Sequence, residues 1–176
     1  MNFGLALLQM FPNVNPSQYE LMMQSDGTVK ITQWNVPGTP QPAEADVENF
    51  WNTGMMPYFR TQKKEQLSQQ CGQVIIGGFT SNALGTAHTY PSDDEAQRNF
   101  NSEMHMFNID PNYTSLFKTL DAGYLPHTKA QLLQVFSDGH TFKVNQLARL
   151  NGPLPNGLKA QVDEANTIDQ INAIVW

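Results

Sequence analysis

The sequence predicts an α+β fold, mainly α: a small unit of one helix and a β-hairpin, followed by a mostly helical C-terminal domain. Three observations carry that reading. Asp26-Gly27 sits between two roughly alternating segments, which is a hairpin signal. Apolar residues recur at helical spacing through much of the chain. Three prolines within 36–42 separate the first pattern from the second.

Residues 3–11 place Phe3, Leu7, Leu8 and Phe11 at helical spacing, and Pro12-Asn13 stops the run. Residues 19–24 and 29–35 are the two strands, joined by Ser25-Asp26-Gly27-Thr28, where Asp-Gly supplies the positive φ of a tight turn. An isolated hairpin is marginal in water, so the first helix is expected across its apolar face. Pro37, Pro40 and Pro42 with Gly38 prevent helix or ladder from continuing, so 37–42 is expected to be a linker between a unit at 1–36 and a domain at 43–176. A helix over 43–51 then carries acids in its first turn, where they suit the positive end of the dipole, and an apolar stripe of Val47, Phe50 and Trp51. Residues 58–76 form the next helix, with Phe59, Leu67, Cys71, Val74 and Ile75 near one face, and Gly77-Gly78 ends it.

From Phe79 to Tyr124 the pattern is irregular, apart from a helix over 93–107 for which Ser92 is expected as N-cap with Glu95 at the third position. Asp121-Ala122-Gly123 reads as a turn. Thr128 caps a helix carrying Ala130, Leu132, Leu133, Val135 and Phe136, which Asp138-Gly139 is expected to end, with a further turn-rich helical piece over 140–150. His127 and His140 are then turn and cap residues. Asn151-Gly152-Pro153 and Pro155-Asn156-Gly157 punctuate before a last helical stretch over 158–176, in which Thr167 offers a second N-cap and a division into two helices.

With 16 acidic against 10 basic residues the chain carries a formal charge of −6 and has no basic run, which removes the electrostatic term behind most nucleic-acid binding. A single cysteine excludes a disulfide scaffold, and no export signal is visible, so a cytoplasmic context is expected. No run approaches the roughly 18 apolar residues of a membrane helix. The spacing of His88, His105, His127 and His140 matches no metal-ligand pattern. Cys71 lies on an apolar helix face, where a thiol behaves as a small hydrophobe. Asp93, Asp94 and Glu95 lack the alternation and glycine of a calcium loop. Gly72 to Gly78 lacks the Lys-Ser/Thr of a phosphate loop, and no G-x-S-x-G elbow exists. Sixteen Asn and sixteen Gln against 15% charged residues, with eight Met and ten Phe, suit a neutral, amide-rich contact surface as well as an ordinary core.

Phe79-Thr-Ser-Asn-Ala-Leu-Gly85, followed by His88-Thr-Tyr90-Pro-Ser92-Asp93-Asp94-Glu95-Ala-Gln97-Arg-Asn99, resembles the opening of a domain of unknown function that recurs in bacteriophage tail and tail-fibre assembly proteins. In that family a Phe-Thr-Ser strand with a Leu-Gly turn leads to a Tyr-x-Ser-Asp helix start. His127 to Val135 before Asp138-Gly139, and the closing Leu158 to Trp176, look like its later elements, so the resemblance spans about 55–176. Residues 103–120 depart from it, being longer and more aromatic. The N-terminal part is similar to a second group of phage and prophage tail proteins through Phe11-Pro12, Ile31-Thr-Gln-Trp34-Asn35, Pro37 to Pro42 and Ala43 to Trp51.

The resemblance implies a non-enzymatic tail protein, without cofactor or metal, that binds the tail fibre or baseplate as a virion subunit or as an assembly chaperone in the host cytoplasm. Trimeric fibres expose strand edges before they close, and a partner carrying its own hairpin can cover them. Phe3, Met10, Phe11, Trp34 and Trp51 are the expected anchors, with a core role as the alternative for both tryptophans. Two other functions compete: a cell-envelope-degrading tail enzyme drawing an acid from Asp93, Asp94 or Glu95 beside His88, and a receptor-binding protein at the fibre tip.

Overall fold

The computed structural model describes residues 1–110 and 112–176. The fold is α+β and mainly α, with seven α-helices and three antiparallel two-stranded hairpins among the described residues. Contacts divide the chain into two units, Met1–Lys63 with Ala165–Ala173, and Lys64–Glu164 with Ile174–Trp176. The proline-rich segment 37–42, expected between domains, lies inside the first unit.

In the first unit α1 (Phe3–Met10) is capped by Asn2, whose side chain accepts from the Leu5 N–H at 3.0 Å. A short 3-10 turn at Pro16–Gln18 leads into β1 (Tyr19–Met23), which pairs with β2 (Val29–Trp34) from Tyr19↔Trp34 to Met23↔Val29, with a bulge after Glu20. The turn between them closes as expected on Gly27, at φ 82°. The next helix, α2 (Glu44–Thr53), packs on α1 and sends Val47 into a core with Phe3, Ala6, Leu7 and Ile31. Helix α3 (Met56–Ile76) spans both units.

In the second unit β3 (Phe79–Ser81) pairs with β4 (His88–Tyr90), and β5 (Ser115–Thr119) with β6 (Gly123–His127). Both hairpins fall where the sequence reads as irregular. Between them runs α4 (Asp94–Ile109). Its N-cap is Asp93 rather than Ser92: the Asp93 carboxylate accepts from the Ala96 N–H at 2.8 Å, while the Ser92 hydroxyl donates to the Ile75 carbonyl. The hairpins are tied by the Leu120 N–H, which donates to the Thr89 carbonyl at 2.7 Å. The core that they form holds Phe79, Tyr90, Phe107, Phe117, Leu132 and Val135. Phe117, Tyr90, Phe79 and Phe142 follow one another as stacked rings at 6.4, 5.9 and 6.4 Å.

Thr128 and Gln131 form a reciprocal capping box at the start of α5 (Lys129–Asn151). This 23-residue helix is unbroken, where the sequence suggests an end at Gly139. Gly139 is a point of close approach: a Cβ there would lie 2.6 Å from Cζ and 2.7 Å from Cε1 of Phe79. Helix propensity alone would have Gly139→Ala stabilise the protein by about 1 kcal/mol. The stacked, buried Phe79 ring has little room to yield, so a net destabilisation of about 1–2 kcal/mol is expected instead, read from the midpoint of urea unfolding.

The chain ends in α6 (Leu158–Glu164) and α7 (Ile168–Ala173), with Thr167 accepting from the Gln170 N–H at 3.1 Å, as its N-cap chemistry suggests. Leu158 and Val162 join Leu67, Cys71 and Leu150 in a second core of the second unit, and the Arg149 guanidinium lies 4.8 Å from the Trp176 ring centroid. Arg60 donates to the Ala165 carbonyl at 2.8 Å within the first unit.

Candidate functional site

Alternation, reset on β2 by the bulge at Thr32, gives the first hairpin one inward face, on which Tyr19, Leu21, Val29, Ile31 and Trp34 pack with α1 and α2. The five residues expected as anchors gather around that core. Phe3 is only 4% exposed and is part of it, because it shares one face of α1 with Ala6, Leu7 and Met10. Phe3 is therefore a core residue and not a free surface side chain. Met10, Phe11, Trp34 and Trp51 are half-buried at its margin. Phe11 meets Trp34 edge-on at 5.5 Å, Tyr19 stacks on the indole at 5.8 Å, and the indole N–H donates to the Thr39 carbonyl at 2.8 Å. Trp51 stands apart from this trio, edge-on to Phe59 at 5.3 Å.

What the hairpin exposes at its turn end is different. Met22 and Met23 at the end of β1 are 55% and 75% exposed, and neither β1 nor β2 has a second strand partner among the described residues. The sequence analysis does not single out either methionine, although both stand beside the Asp-Gly turn at the end of the strand. On β2 the Ile31 carbonyl already accepts from the Gln41 side chain at 3.4 Å, so the open edge is that of β1, whose outer N–H and C=O groups, with unbranched, polarisable side chains at the strand end, suit strand addition by a partner chain.

The second unit holds an apolar cavity of about 310 Å³ beside α5, walled by Phe79, Phe100, Phe117, Val135 and Phe142, with His140 and Lys143 among its polar lining. Three polar groups lie near the same core. His127, expected at a turn, is fully buried on β6, where its Nδ1–H donates to the Leu125 carbonyl at 2.8 Å. That bond leaves Nε2 to accept from the Tyr90 hydroxyl, also at 2.8 Å. Burial lowers the His127 pKa below the ordinary histidine value and raises that of Tyr90, so both are neutral at pH 7. Ser81, also buried, donates to Asp138 at 2.5 Å and ties β3 to α5.

His88 is paired with Asp121 at 2.9 Å, not with the acids at 93–95, and the Thr86 hydroxyl lies 3.2 Å from its other ring nitrogen. This hydroxyl–imidazole–carboxylate order superficially copies a hydrolase triad. The same carboxylate accepts from the Thr89 N–H at 2.9 Å, the leading cause of its lowered pKa, with the His88 bond second. Asp121 thus pins the turn between β5 and β6 to β4, and neither His88 nor Thr86 lines the cavity beside α5. Burial pushes the Cys71 thiol up, away from the thiolate. Among the described residues no three His, Cys, Asp or Glu side chains group to hold a metal ion, and no helix is long and apolar enough to cross a membrane.

Residues 59–175, more than half of the chain, match the family described as a domain of unknown function, DUF4376, and the chain belongs to that family. Residues 4–55, which contain the first hairpin, match the family described as XkdW protein. XkdW is a phage-associated family found in Bacillus prophage, and with it the chain is a phage protein. No curated protein and no solved structure matches the chain significantly.

Proposed function

We propose that this phage protein is a non-enzymatic tail component that binds the tail fibre or baseplate through the β1–β2 hairpin, as a virion subunit or an assembly chaperone. The observation that carries the reading is the unpaired hairpin with Met22 and Met23 exposed at its end, inside the segment similar to XkdW. A fibre or baseplate strand laid along that edge would satisfy backbone groups otherwise left to water, while the methionines adapt to its side chains. Met10, Phe11 and Trp34 hold the hairpin in shape from its inner face.

Quantitative mass spectrometry of purified particles beside the infected-cell lysate tests it. A fixed ratio to fibre or baseplate subunits in particles makes the protein a virion subunit. Abundance in the lysate in complex with those subunits, with absence from particles, makes it a chaperone. Association with neither overturns the proposal. The Met22→Lys/Met23→Lys variant is expected to lose that association by at least about tenfold while its unfolding free energy stays within about 0.5 kcal/mol of the parent, as exposed substitutions do.

A further inference from the structure

We infer that the cavity beside α5 binds a compact aromatic acid, one or two rings bearing a single carboxylate, with the rings among its phenylalanines and the carboxylate at Lys143. Every residue of its wall belongs to the second unit and none to the β1–β2 hairpin, so the inference does not rest on the proposed tail role.

The lining is sorted by depth. Phe79, Ala96, Phe117 and Val135 are buried and make the floor, whereas Gln97, Asn101, His140 and Lys143 are exposed and make the rim. Ring stacking holds the walls in place: Phe79 stacks with both Tyr90 and Phe142, and Phe100 of α4 stacks on Phe136 of α5 at 4.7 Å. Rings fixed by partners of their own do not swing inward to fill the space. Close-packed interiors leave few voids larger than a water molecule, and an apolar cavity of roughly 150 Å³ already holds benzene. At about 310 Å³ this one has room for a second ring and a polar group, at the lower end of the range for small-molecule sites.

The rim sets the charge of the ligand. The Ser92 hydroxyl and the Gln97 amide N–H are spent on the Ile75 and Ser92 carbonyls. Asn101, His140 and Lys143 make no side-chain hydrogen bond or ion pair among the described residues, and each can donate. His140 is held against the Phe136 ring at 6.4 Å, and Lys143 follows it by three residues, about one turn along α5. No acidic residue lines the cavity, although the chain as a whole carries −6, so the ammonium of Lys143 governs the charge of this rim and favours an anion. The floor sets the body. Phenylalanine rings gain from edge and face contacts with another ring beyond the area buried, and a rigid ring gives up less freedom on entry than an alkyl chain of equal size.

Isothermal titration calorimetry of the full chain at pH 7 with 2-naphthoate is expected to give one site with a Kd of about 10–100 μM. 2-Naphthalenemethanol, the same rings without the charge, and octanoate, the same charge without the rings, are each expected to bind about fivefold or more weakly. Lys143→Gln is expected to weaken naphthoate about fivefold and to leave the alcohol unchanged, because this exposed side chain supplies charge and no part of the core. Ala96→Leu, which fills the floor, is expected to abolish binding of both, and the surface variant keeps the test independent of how well Ala96→Leu folds. In NMR spectra the Val135 methyl signals are expected to move on saturation, while the indole N–H signals of Trp34, Trp51 and Trp176, none of which lines the cavity, stay in place. Absence of naphthoate binding up to about 1 mM overturns the inference. So do the alcohol or octanoate bound as tightly as naphthoate, a Lys143→Gln variant of unchanged affinity, unmoved Val135 methyls, or a cavity already filled by a second copy, seen in sedimentation as a dimer that Ala96→Leu dissociates.

Discussion

Phe3→Ser is expected to unfold the N-terminal unit. The ring is 4% exposed and packs among Ala6, Leu7, Ile31 and Val47, so its removal costs the transfer energy of a buried aromatic and leaves a cavity, together about 3–5 kcal/mol. Burying a hydroxyl with no partner adds about 1–3 kcal/mol. A whole domain is stable by only about 5–15 kcal/mol, so most of the margin is lost. Native-state hydrogen exchange is the appropriate reading, because amides of α1 and β2 should lose protection while those of α5 keep theirs. Preserved protection in α1 would mean that Phe3 does not anchor this core. The contrast with Met22 and Met23 is the functional point: in this unit the residue that looks most like an anchor carries stability, and the side chains free to meet a partner lie at the hairpin tip.

The legible parts of the fold are those in which a local signal coincided with a packing demand. Asp26-Gly27 and Thr128 act within three or four residues of themselves, and the elements that they join or start stand where the sequence places them. The 3–5 residue strands of the second unit gave no such signal. The inward positions of β5 are Ser115, Phe117 and Thr119, and β6 contains Pro126, so polarity and proline both argue against a buried hairpin that is made by its neighbours. Gly139 misleads for the same reason, since the Phe79 ring that needs the space comes from 60 residues away. For the candidate site the hairpin itself was legible and the roles around it were not. Phe3 and Met22 are both apolar, and only tertiary packing says that one turns inward and the other outward.

His127→Leu is expected to cost about 2–4 kcal/mol and to remove a pH dependence that the parent protein shows. The cost arises because the Tyr90 hydroxyl, itself fully buried, loses its acceptor, and because leucine fits poorly between the rings of Tyr90 and Phe117. Tyr90→Phe in the same background removes the orphaned hydroxyl. The double variant should therefore be less destabilised than the two single changes added together, and simple additivity would deny that the bond matters. The pH dependence has a definite sign. Burial sets the folded His127 pKa below the value near 6.5 of an unfolded histidine. Between these two values the unfolded chain binds a proton that the folded chain refuses, so stability is full above pH ~6.5, falls as the pH drops below it, and stops falling on this account once the folded value is passed. Asp26 and Asp121, whose carboxyls are held below the ordinary range, lose their contributions in a separate window below about pH 4. Urea midpoints for parent and His127→Leu, compared from pH 7.5 to about pH 5, isolate the histidine, because the difference between the two curves should shrink as the pH falls. A constant difference would mean that the folded chain takes up this proton as readily as the unfolded one, so that burial does not hold His127 neutral, and a difference that grows as the pH falls would mean that the fold favours the imidazolium, which leaves no Nε2 acceptor for the Tyr90 hydroxyl.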